Sequence, residues 1–345
     1  MYDFIIVGQG LAGSVLSLSL IKSGYTVCVI DKPGMSYCSQ AAAGIWNPVV
    51  FKRLTKSWLA DDVVPELISF YNYAEKLFGT KLIHERSILK PFTEQQEKNL
   101  WVKKAETENG FLDPVLYKDL KLSEQNVIAE YSKVLNAGNI DVKLFLESTK
   151  KYLVSLGSYL EERFDHNLLK NTNGVVSYNS ISAKQIVFCE GHLISQNPFF
   201  KNIPMKPAKG EVLTIYCEGL LLENDILNKG IFVLPLGNNT YKVGATYEWE
   251  QLNDLATEKA KDELTKKLDA IITVPYKIIA HEAGIRPAVT DRRPVIGKHS
   301  EISNYYVFNG FGTKAVMLAP YFAEKFCQNA SRQQKLSIEV DPERF

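Results

Sequence analysis

The glycines near the amino terminus are the residues whose spacing most directly indicates chemistry. Gly8, Gly10 and Gly13 occupy the three glycine positions of the pattern G-x-G-x-x-G, directly after an apolar run. In that pattern the first glycine permits a tight turn, the second lets the backbone approach a pyrophosphate, and the third lets a helix lie close to the sheet. The free N–H groups at the start of that helix, with the positive end of its dipole, would bind the pyrophosphate without a basic side chain.

An acidic residue completes the pattern. Asp31 ends the apolar run at residues 27–30, about twenty residues beyond the glycines, where a carboxylate accepts hydrogen bonds from both ribose hydroxyls. Strand, glycines, helix, second strand and acid therefore read as one βαβ unit. The alternative is a glycine-rich turn in another kind of α/β protein, and the complete context favours a dinucleotide site. The motif alone does not distinguish FAD from NAD.

The elements that must position this site belong to an α/β pattern that is interrupted and later resumes. Apolar spacing predicts a helix over residues 58–78, and residues 81–92 alternate like a half-buried strand. Residues 142–156 are typical of an amphipathic helix, and residues 185–189 of a buried strand. A sheet that stops after residue 80 and resumes near residue 140 indicates a discontinuous domain into which another is inserted.

The inserted part is predicted to be mainly antiparallel. Residues 206–217, 230–236 and 240–249 predict successive strands joined by turns, and a helix is expected at about 252–271. The predicted domain boundaries are 1–80, 140–204 and 280–345 for the nucleotide-binding domain, and 81–139 and 205–279 for the substrate domain.

Composition narrows the class of protein. The 345 residues are 46% hydrophobic with a net charge of +1, so no overall basic field favours nucleic acid, and no apolar run is long enough for a membrane span. The cysteines form no C-x-x-C pair, the histidines show no metal-ligand spacing, and the glycine motif lies too close to Met1 to leave room for a leader peptide. A cytoplasmic protein without a metal is therefore expected.

Residues 32–50 lack both helical and strand periodicity, yet they are too apolar for a solvent loop. The small side chains of residues 41–44 would let the backbone pass close to a flat, bulky group, which Trp46 could then cover. The alternative is a short alanine-rich helix.

Six motifs together resemble the D-amino-acid-oxidase-like flavoproteins, whose members include glycine oxidase, sarcosine oxidase and the tRNA-modifying aminomethyluridine oxidase domain. In the order found in that family, they are VGQGLAG (7–13), AAAG (41–44), KPAKGE (206–211), VGAT (243–246), GIRP…PVIG (284–297) and NGFG…LAP (309–320). The resemblance covers most of the chain and implies a Rossmann-like FAD-binding domain with an inserted antiparallel-sheet substrate domain. The chain contains one complete dinucleotide motif, which disfavours a reductase with a second domain for NAD(P)H.

The resemblance also implies which residues bind FAD. Gly8, Gly10, Gly13 and Asp31 would hold the ADP half, Ser39, Gly44 and Ile45 would pass near the flavin, and Gly310, Gly312, Thr313 and Lys314 would meet its ring or ribityl chain. The predicted cofactor site is completed by Leu11, Ala12, Lys32, Gly191 and Phe311. No cysteine falls in the 309–320 motif, so non-covalent FAD is expected.

The predicted catalytic residues are Arg286, Phe232, Tyr247 and Trp46. In the glycine oxidase and D-amino-acid oxidase branches, the Arg of G-x-R-P binds the substrate carboxylate, and Arg286 matches it; a planar guanidinium suits this role because it donates two parallel hydrogen bonds. The alternative is a structural Arg paired with a core carboxylate. Those oxidases carry a Tyr where this chain has Phe232. Either Tyr247 supplies the missing hydroxyl or the substrate is not a simple α-amino acid.

The leading functional hypothesis is oxidation of a C–N bond of a small amine or amino acid by hydride transfer to the flavin, with O2 or an unidentified electron acceptor. The second hypothesis is a tRNA-modifying flavoprotein that acts on an aminomethyl-type modified base and contacts phosphate through Lys52, Arg53 and Lys56, although the low net charge makes a nucleic-acid partner the less expected one. The third, suggested by Phe232, is a flavin-binding protein without amino-acid turnover.

Overall fold

The computed structural model describes residues 1–32, 38–107, 110–332 and 336–345. The helices are α1 (Leu11–Lys22), α2 (Cys38–Ala41), α3 (Ala60–Phe78), α4 (Gln95–Thr107), α5 (Val142–Ser155), α6 (Glu258–Asp269) and α7 (Ala315–Arg332). Short 3-10 turns lie at His166–Leu168, Gly191–Gln196 and Pro342–Arg344.

The strands follow in chain order. They are β1 (Tyr2–Val7), β2 (Val27–Asp31), β3 (Ile45–Trp46), β4 (Val49–Val50), β5 (Thr55–Lys56), β6 (Ile83–Pro91), β7 (Tyr117–Ser123), β8 (Asn126–Ile140), β9 (Tyr159–Glu161), β10 (Leu169–Thr172), β11 (Val175–Tyr178), β12 (Ile181–Phe188), β13 (Ala208–Tyr216), β14 (Ile226–Asn228), β15 (Phe232–Gly237), β16 (Thr240–Gly244), β17 (Lys277–Arg286), β18 (Val295–Lys298) and β19 (Tyr305–Asn309).

The first sheet is built around the predicted βαβ unit. β1 lies between β2 and β12 and is parallel to both, and β9 and β19 extend this parallel centre on either side. Successive residues of β1 alternate between two cores: Ile6 packs in the cluster that includes α1 and α7, whereas Ile5 and Val7 pack in the cluster on the opposite face. Burial on both faces explains why this strand is apolar throughout.

Within the described residues, the second sheet has the strand order β17-β13-β16-β15-β14-β6-β8-β3, with β7 paired to β8. Its pairs are antiparallel except for β14 with β6. This mixed α/β architecture, with a Rossmann-like sheet and a second, largely antiparallel sheet, confirms the predicted fold class. The exact domain boundaries stay a prediction. No helix of the described residues is both long and apolar enough to cross a membrane.

Two predicted elements after residue 240 are wrong in their extent. The strand predicted over 240–249 ends at Gly244, and the helix predicted from about residue 252 begins at Glu258. The side chain of Thr257 accepts a hydrogen bond from the Ala260 N–H and fixes this helix start. The residues between the two elements have no regular structure of their own, and their polar groups bond instead to a neighbouring strand.

The other differences concern short segments. The strand predicted over 158–164 is limited to Tyr159–Glu161. In the segment 32–50 the structure has the short helix Cys38–Ala41 followed by two short strands, while residues 33–37 lie outside the described residues.

Candidate functional site

A cavity of about 910 Å³ is lined by residues of both sheets. The predicted site residues that line it are Gly8, Gly10, Leu11, Ala12, Asp31, Lys32, Ser39, Gly44, Ile45, Trp46, Gly191, Phe232, Tyr247, Arg286, Phe311, Gly312, Thr313 and Lys314. Gly13 and Gly310 are not among its lining residues. Long-range folding therefore brings most of the predicted cofactor residues and all four predicted catalytic residues to one cavity.

The first turn of α1 faces the cavity. Gly10 is its N-cap and has no side chain that could cap the helix. A Cβ built on Gly10 would have only the Ser39 hydroxyl oxygen near it, at 3.4 Å, so this position opens into the cavity. The Leu11 N–H donates to the same Ser39 oxygen over 3.1 Å. A helix start with an open approach fits a pyrophosphate, because the N–H groups of a first helical turn bind anions.

The two predicted glycines outside the lining shape the walls instead. A Cβ on Gly13 would lie 1.9 Å from the Gly8 carbonyl oxygen, so the helix could not pack on the turn with any larger residue. Gly310 has φ +77°, and a Cβ there would lie 2.7 Å from a Val289 methyl group. Both glycines therefore permit close packing behind the site.

Asp31, the predicted ribose-binding acid, lines the cavity at the end of β2. Its Oδ1 accepts the Gln9 N–H over 3.0 Å, and Lys150, which forms an ion pair with Glu161 over 2.7 Å, also lines the cavity. Burial raises the pKa of Asp31, although the Gln9 N–H and the Lys150 ammonium act in the opposite direction. The second carboxylate oxygen can accept ribose hydroxyls.

The segment after α2 forms another wall. Gly44 has φ +71°, and a Cβ there would lie 2.0 Å from the Ile140 carbonyl oxygen. Trp46 is 1% exposed; its Nε1 donates to the Asn136 carbonyl over 2.9 Å, and its ring lies against Gly138. Since the indole N–H is already bonded, Trp46 can offer only the edge or face of its ring. Its predicted catalytic role remains untested.

The turn before α7 also lines the cavity. The Lys314 ammonium donates to the Ser57 hydroxyl over 2.8 Å, and burial together with nearby Arg293 lowers the pKa of Lys314. A bridge between Ala288 and Phe311 joins this turn to the residues that follow β17. The predicted flavin-contacting turn and the end of β17 are therefore neighbours.

Arg286 ends β17, and its guanidinium is held by backbone carbonyl groups. Nη1 and Nη2 both donate to the Thr246 carbonyl over 3.2 Å, and Nη1 also donates to the Lys209 carbonyl over 3.3 Å. The Tyr247 ring covers the group, with its centroid 4.3 Å from Cζ. Gly210 lies directly beneath, because a Cβ there would be 1.9 Å from Nη2.

These bonds leave one edge of the guanidinium uncommitted. A guanidinium has five N–H donors, and three are used here, so Nε–H and the second Nη2–H remain. These two parallel donors are suited to a carboxylate. Among the described residues Arg286 forms no ion pair with an acidic side chain, so the alternative of a core carboxylate partner finds no support there.

Phe232 lies on the same sheet face. Its Cζ would be 2.9 Å from a Cβ on Gly244, and a Val212 methyl group would be 2.7 Å from the same point. Phe232 and Val212 thus form an apolar wall of the cavity, on the same face of the sheet as the Arg286 guanidinium but on other strands. Tyr247, 55% exposed, stacks on Trp249 at a centroid distance of 5.9 Å. That Tyr247 supplies the hydroxyl missing at Phe232 stays a prediction.

Sequence reasoning missed several residues of this site. Gln9 and Lys150, which both interact with Asp31, carried no motif signal. Gly210 had one, because a glycine inside a strand often marks a close approach by another group. Cys38 also lines the cavity, and burial raises the pKa of its thiol to about 11. No group of three or more His, Cys, Asp or Glu side chains in the described part of the chain could hold a metal ion.

A helix start open to a large cavity, an acidic side chain at the end of β2 and an arginine with two uncommitted donors are typical of a dinucleotide-dependent enzyme that binds a carboxylate. Residues 3–328 match the family model described as FAD dependent oxidoreductase, and the chain belongs to this family. The protein is therefore an FAD-dependent oxidoreductase, as the sequence predicted.

Three known proteins illustrate the similarity. The bifunctional tRNA 5-methylaminomethyl-2-thiouridine biosynthesis protein MnmC of Legionella pneumophila is 24% identical over 99% of this chain, which spans only 57% of that protein's length. Glycine oxidase of Bacillus licheniformis is 23% identical, with 94% of this chain and 91% of that protein covered. The crystal structure of iminodiacetate oxidase from Chelativorans sp. BNC1 matches with a TM-score of 0.80 and 16% identity, covering 97% of each chain.

Proposed function

We propose that this enzyme oxidises the C–N bond of an amine whose nitrogen carries a carboxymethyl group, N–CH2–COO⁻. The observation that carries this proposal is the uncommitted edge of Arg286 in the cavity. Two of the similar proteins are named after glycine and iminodiacetate, and both of these molecules contain this group. The similarity to these two proteins supports the proposal.

The chain's residues would act mainly by positioning. The carboxylate would accept two hydrogen bonds from Arg286, and Phe232 with Val212 would exclude water beside the methylene carbon. Bound FAD supplies the two-electron acceptor. Loss of a hydride from the methylene carbon and of a proton from nitrogen would give an imine, which water hydrolyses to the amine and glyoxylate.

Anaerobic mixing of the holoenzyme with candidate amines tests this proposal. Glycine, sarcosine and iminodiacetate should bleach the flavin absorption, whereas methylamine, which lacks the carboxylate, should not. Arg286→Lys should retain FAD and lose most of the bleaching rate at low substrate concentration, because a point charge cannot reproduce the two parallel bonds. Two results would contradict a carboxylate-binding Arg286. One is bleaching by methylamine as fast as by glycine, and the other is a loss of FAD from Arg286→Lys as large as its loss of bleaching rate.

The second candidate is a modified tRNA base that presents the same chemical group. Exposed Tyr247 and Trp249 stack beside the cavity, and Lys52 and Arg53 are exposed at the tip of the β4–β5 hairpin, whose Val49 and Val50 line it. Aromatic faces with basic side chains suit an unpaired base and its backbone. Lys56, by contrast, forms an ion pair with Asp61 over 2.8 Å.

A charge reversal separates these candidates. The double variant Lys52→Glu, Arg53→Glu should leave the turnover of free glycine unchanged and abolish turnover of a tRNA substrate. No activity on any tRNA, with good activity on free amino acids, would eliminate the second candidate.

Three finer predictions belong to the same proposal. FAD is expected to be non-covalent, so denaturation should release it, even though Cys38 lines the cavity. The electron acceptor is O2 or another molecule, which comparing oxygen consumption with dye reduction would decide. A cytoplasmic location is also proposed.

A further inference from the structure

The segment that holds Arg286 in place is irregular, and its anchoring needs an explanation. We call residues 246–257 the strap. It begins as an extension of β16 along β13, where the Glu248 and Lys209 backbones exchange hydrogen bonds of 2.8 and 3.0 Å. Thr246 supplies the carbonyl that lies in the fork of Arg286. Any movement of the strap would therefore move the guanidinium.

Two buried charges lie beneath the strap. Lys209 is fully buried and Glu211 is 2% exposed, and their charged atoms are 3.3 Å apart. They alternate on β13 with Gly210 and Val212, which line the cavity, so the charged pair occupies the other face of the strand. His281 on β17 adds its Nε2 at 2.9 Å from the second oxygen of Glu211.

The pair is bonded to the far end of the strap. The Lys209 ammonium donates to the Asn253 side-chain oxygen over 3.0 Å and to the Leu255 carbonyl. Glu211 accepts the Thr257 N–H over 2.8 Å and the Thr257 hydroxyl over 2.9 Å. The near end is fixed as well, since the Glu211 N–H donates to the Thr246 hydroxyl over 3.0 Å.

Stability alone is a poor reason for this arrangement. Replacing a buried ion pair by apolar residues is often neutral or stabilising, whereas removing one partner leaves a buried charge without compensation. What the pair provides here is a single set of acceptors and donors for an irregular segment that has no sheet or helix of its own. Its bonds define one strap position.

We propose that Lys209 and Glu211 are positioning residues for substrate binding: they clamp the strap so that Thr246 orients Arg286 with its free edge towards the cavity. This inference rests on the proposed function for the role of Arg286, but the clamp itself can be measured without a substrate.

The experiment uses the holoenzyme and Glu211→Gln, which keeps the shape of the side chain and removes its charge. We expect the Kd for acetate, measured from the change in flavin absorption, and the KM for glycine to rise on the order of tenfold. The kcat at saturation should stay within about twofold, and the affinity for FAD should be unchanged. Amide hydrogen exchange in peptides covering the strap should become faster.

Matched variants keep the test decisive. Thr257→Val removes the hydroxyl that donates to Glu211 and also caps α6, and it should shift Kd and KM in the same direction. Thr257→Ser keeps both bonds and should retain wild-type values. Glu263→Gln, the same chemical change in the exposed Lys267–Glu263 pair on α6, should change nothing. If Glu211→Gln does not fold, the Thr257 pair of variants carries the test.

The possible failures differ from one another. Faster strap exchange with unchanged Kd and KM would overturn the positioning role. A lower kcat, a higher KM and a weaker affinity for FAD, to the same extent in all variants, would overturn it as well. If wild-type enzyme has no affinity for acetate or glycine, the proposed function is wrong; unchanged strap exchange in Glu211→Gln would then overturn the clamp as well.

Discussion

Gly210→Ala tests the Arg286 site with the smallest possible change. A Cβ at this position would lie 1.9 Å from Nη2 and 2.2 Å from Cζ of Arg286, so the two groups cannot coexist. Gly210 does not require a positive φ, and the colliding atoms are the far end of a flexible side chain. We therefore expect the guanidinium to move while the strand keeps its conformation.

The expected magnitudes differ for stability and for binding. Replacing Gly by Ala in a compatible conformation stabilises a protein by roughly 0.4–1 kcal/mol through the unfolded state, which offsets part of the loss of the three Arg286 bonds to backbone carbonyls. The displaced guanidinium would lose at least one of its two bonds to a carboxylate. A hydrogen bond to a charged group contributes about 1.5–3 kcal/mol, which corresponds to a rise in KM of about 10- to 150-fold.

Steady-state kinetics on glycine and urea unfolding of the holoenzyme measure the two effects. Gly110→Ala is the matched control, because no described residue other than its chain neighbours would have an atom within 4 Å of its Cβ, and Gly110 does not line the cavity. A Gly210→Ala enzyme with wild-type KM would refute the role of Arg286 in carboxylate binding. A large loss of stability with loss of FAD would show that Gly210 serves packing instead.

Three further predictions follow from other parts of the fold. Gly10→Val should fold but fail to retain FAD, because its side chain would enter the cavity. Gly13→Ala should instead destabilise the apoprotein, because its Cβ would meet the Gly8 carbonyl oxygen. FAD absorption and thermal unfolding distinguish the two effects. Phe232→Tyr should lower the KM for glycine roughly tenfold if its hydroxyl reaches the carboxylate, and a higher KM would indicate a pocket built for a less polar group. The hydrogen bonds from Lys184 and Thr26 lower the pKa of Asp3 to about 2. The ionised Asp3 carboxylate therefore stabilises the folded protein above about pH 4, and this stabilisation is lost as the pH falls towards 2. The stability difference between wild type and Asp3→Asn in urea should shrink over that range, and a constant difference would contradict the ion pair.

The sequence by itself determined the part of the site that is predicted to bind the cofactor. The apolar run of β1, the glycines and Asp31 are local in sequence, and their spacing alone dictates a strand, a tight turn and a helix start. Apolar periodicity likewise located α3, α5 and the strands β6, β13, β15 and β16 of the second sheet. Glu258 rather than residue 252 begins α6, because Thr257 caps the helix while the residues before it bond to Lys209 and Glu211; that competition has no local signature.

Only the tertiary structure decided the part of the site that is proposed to bind the substrate. The free edge of Arg286 exists because Thr246 and Lys209, which are 40 and 77 residues away in sequence, bring their carbonyl groups to the other donors. Gly210 makes room for the guanidinium. Lys209 and Glu211 are buried as a pair, and the amino-acid sequence alone does not show that these two charged residues are buried. Trp46 likewise has its N–H committed to a carbonyl 90 residues away. A motif can name the residue that binds a carboxylate, but the direction in which its donors point depends on neighbours that only folding assembles.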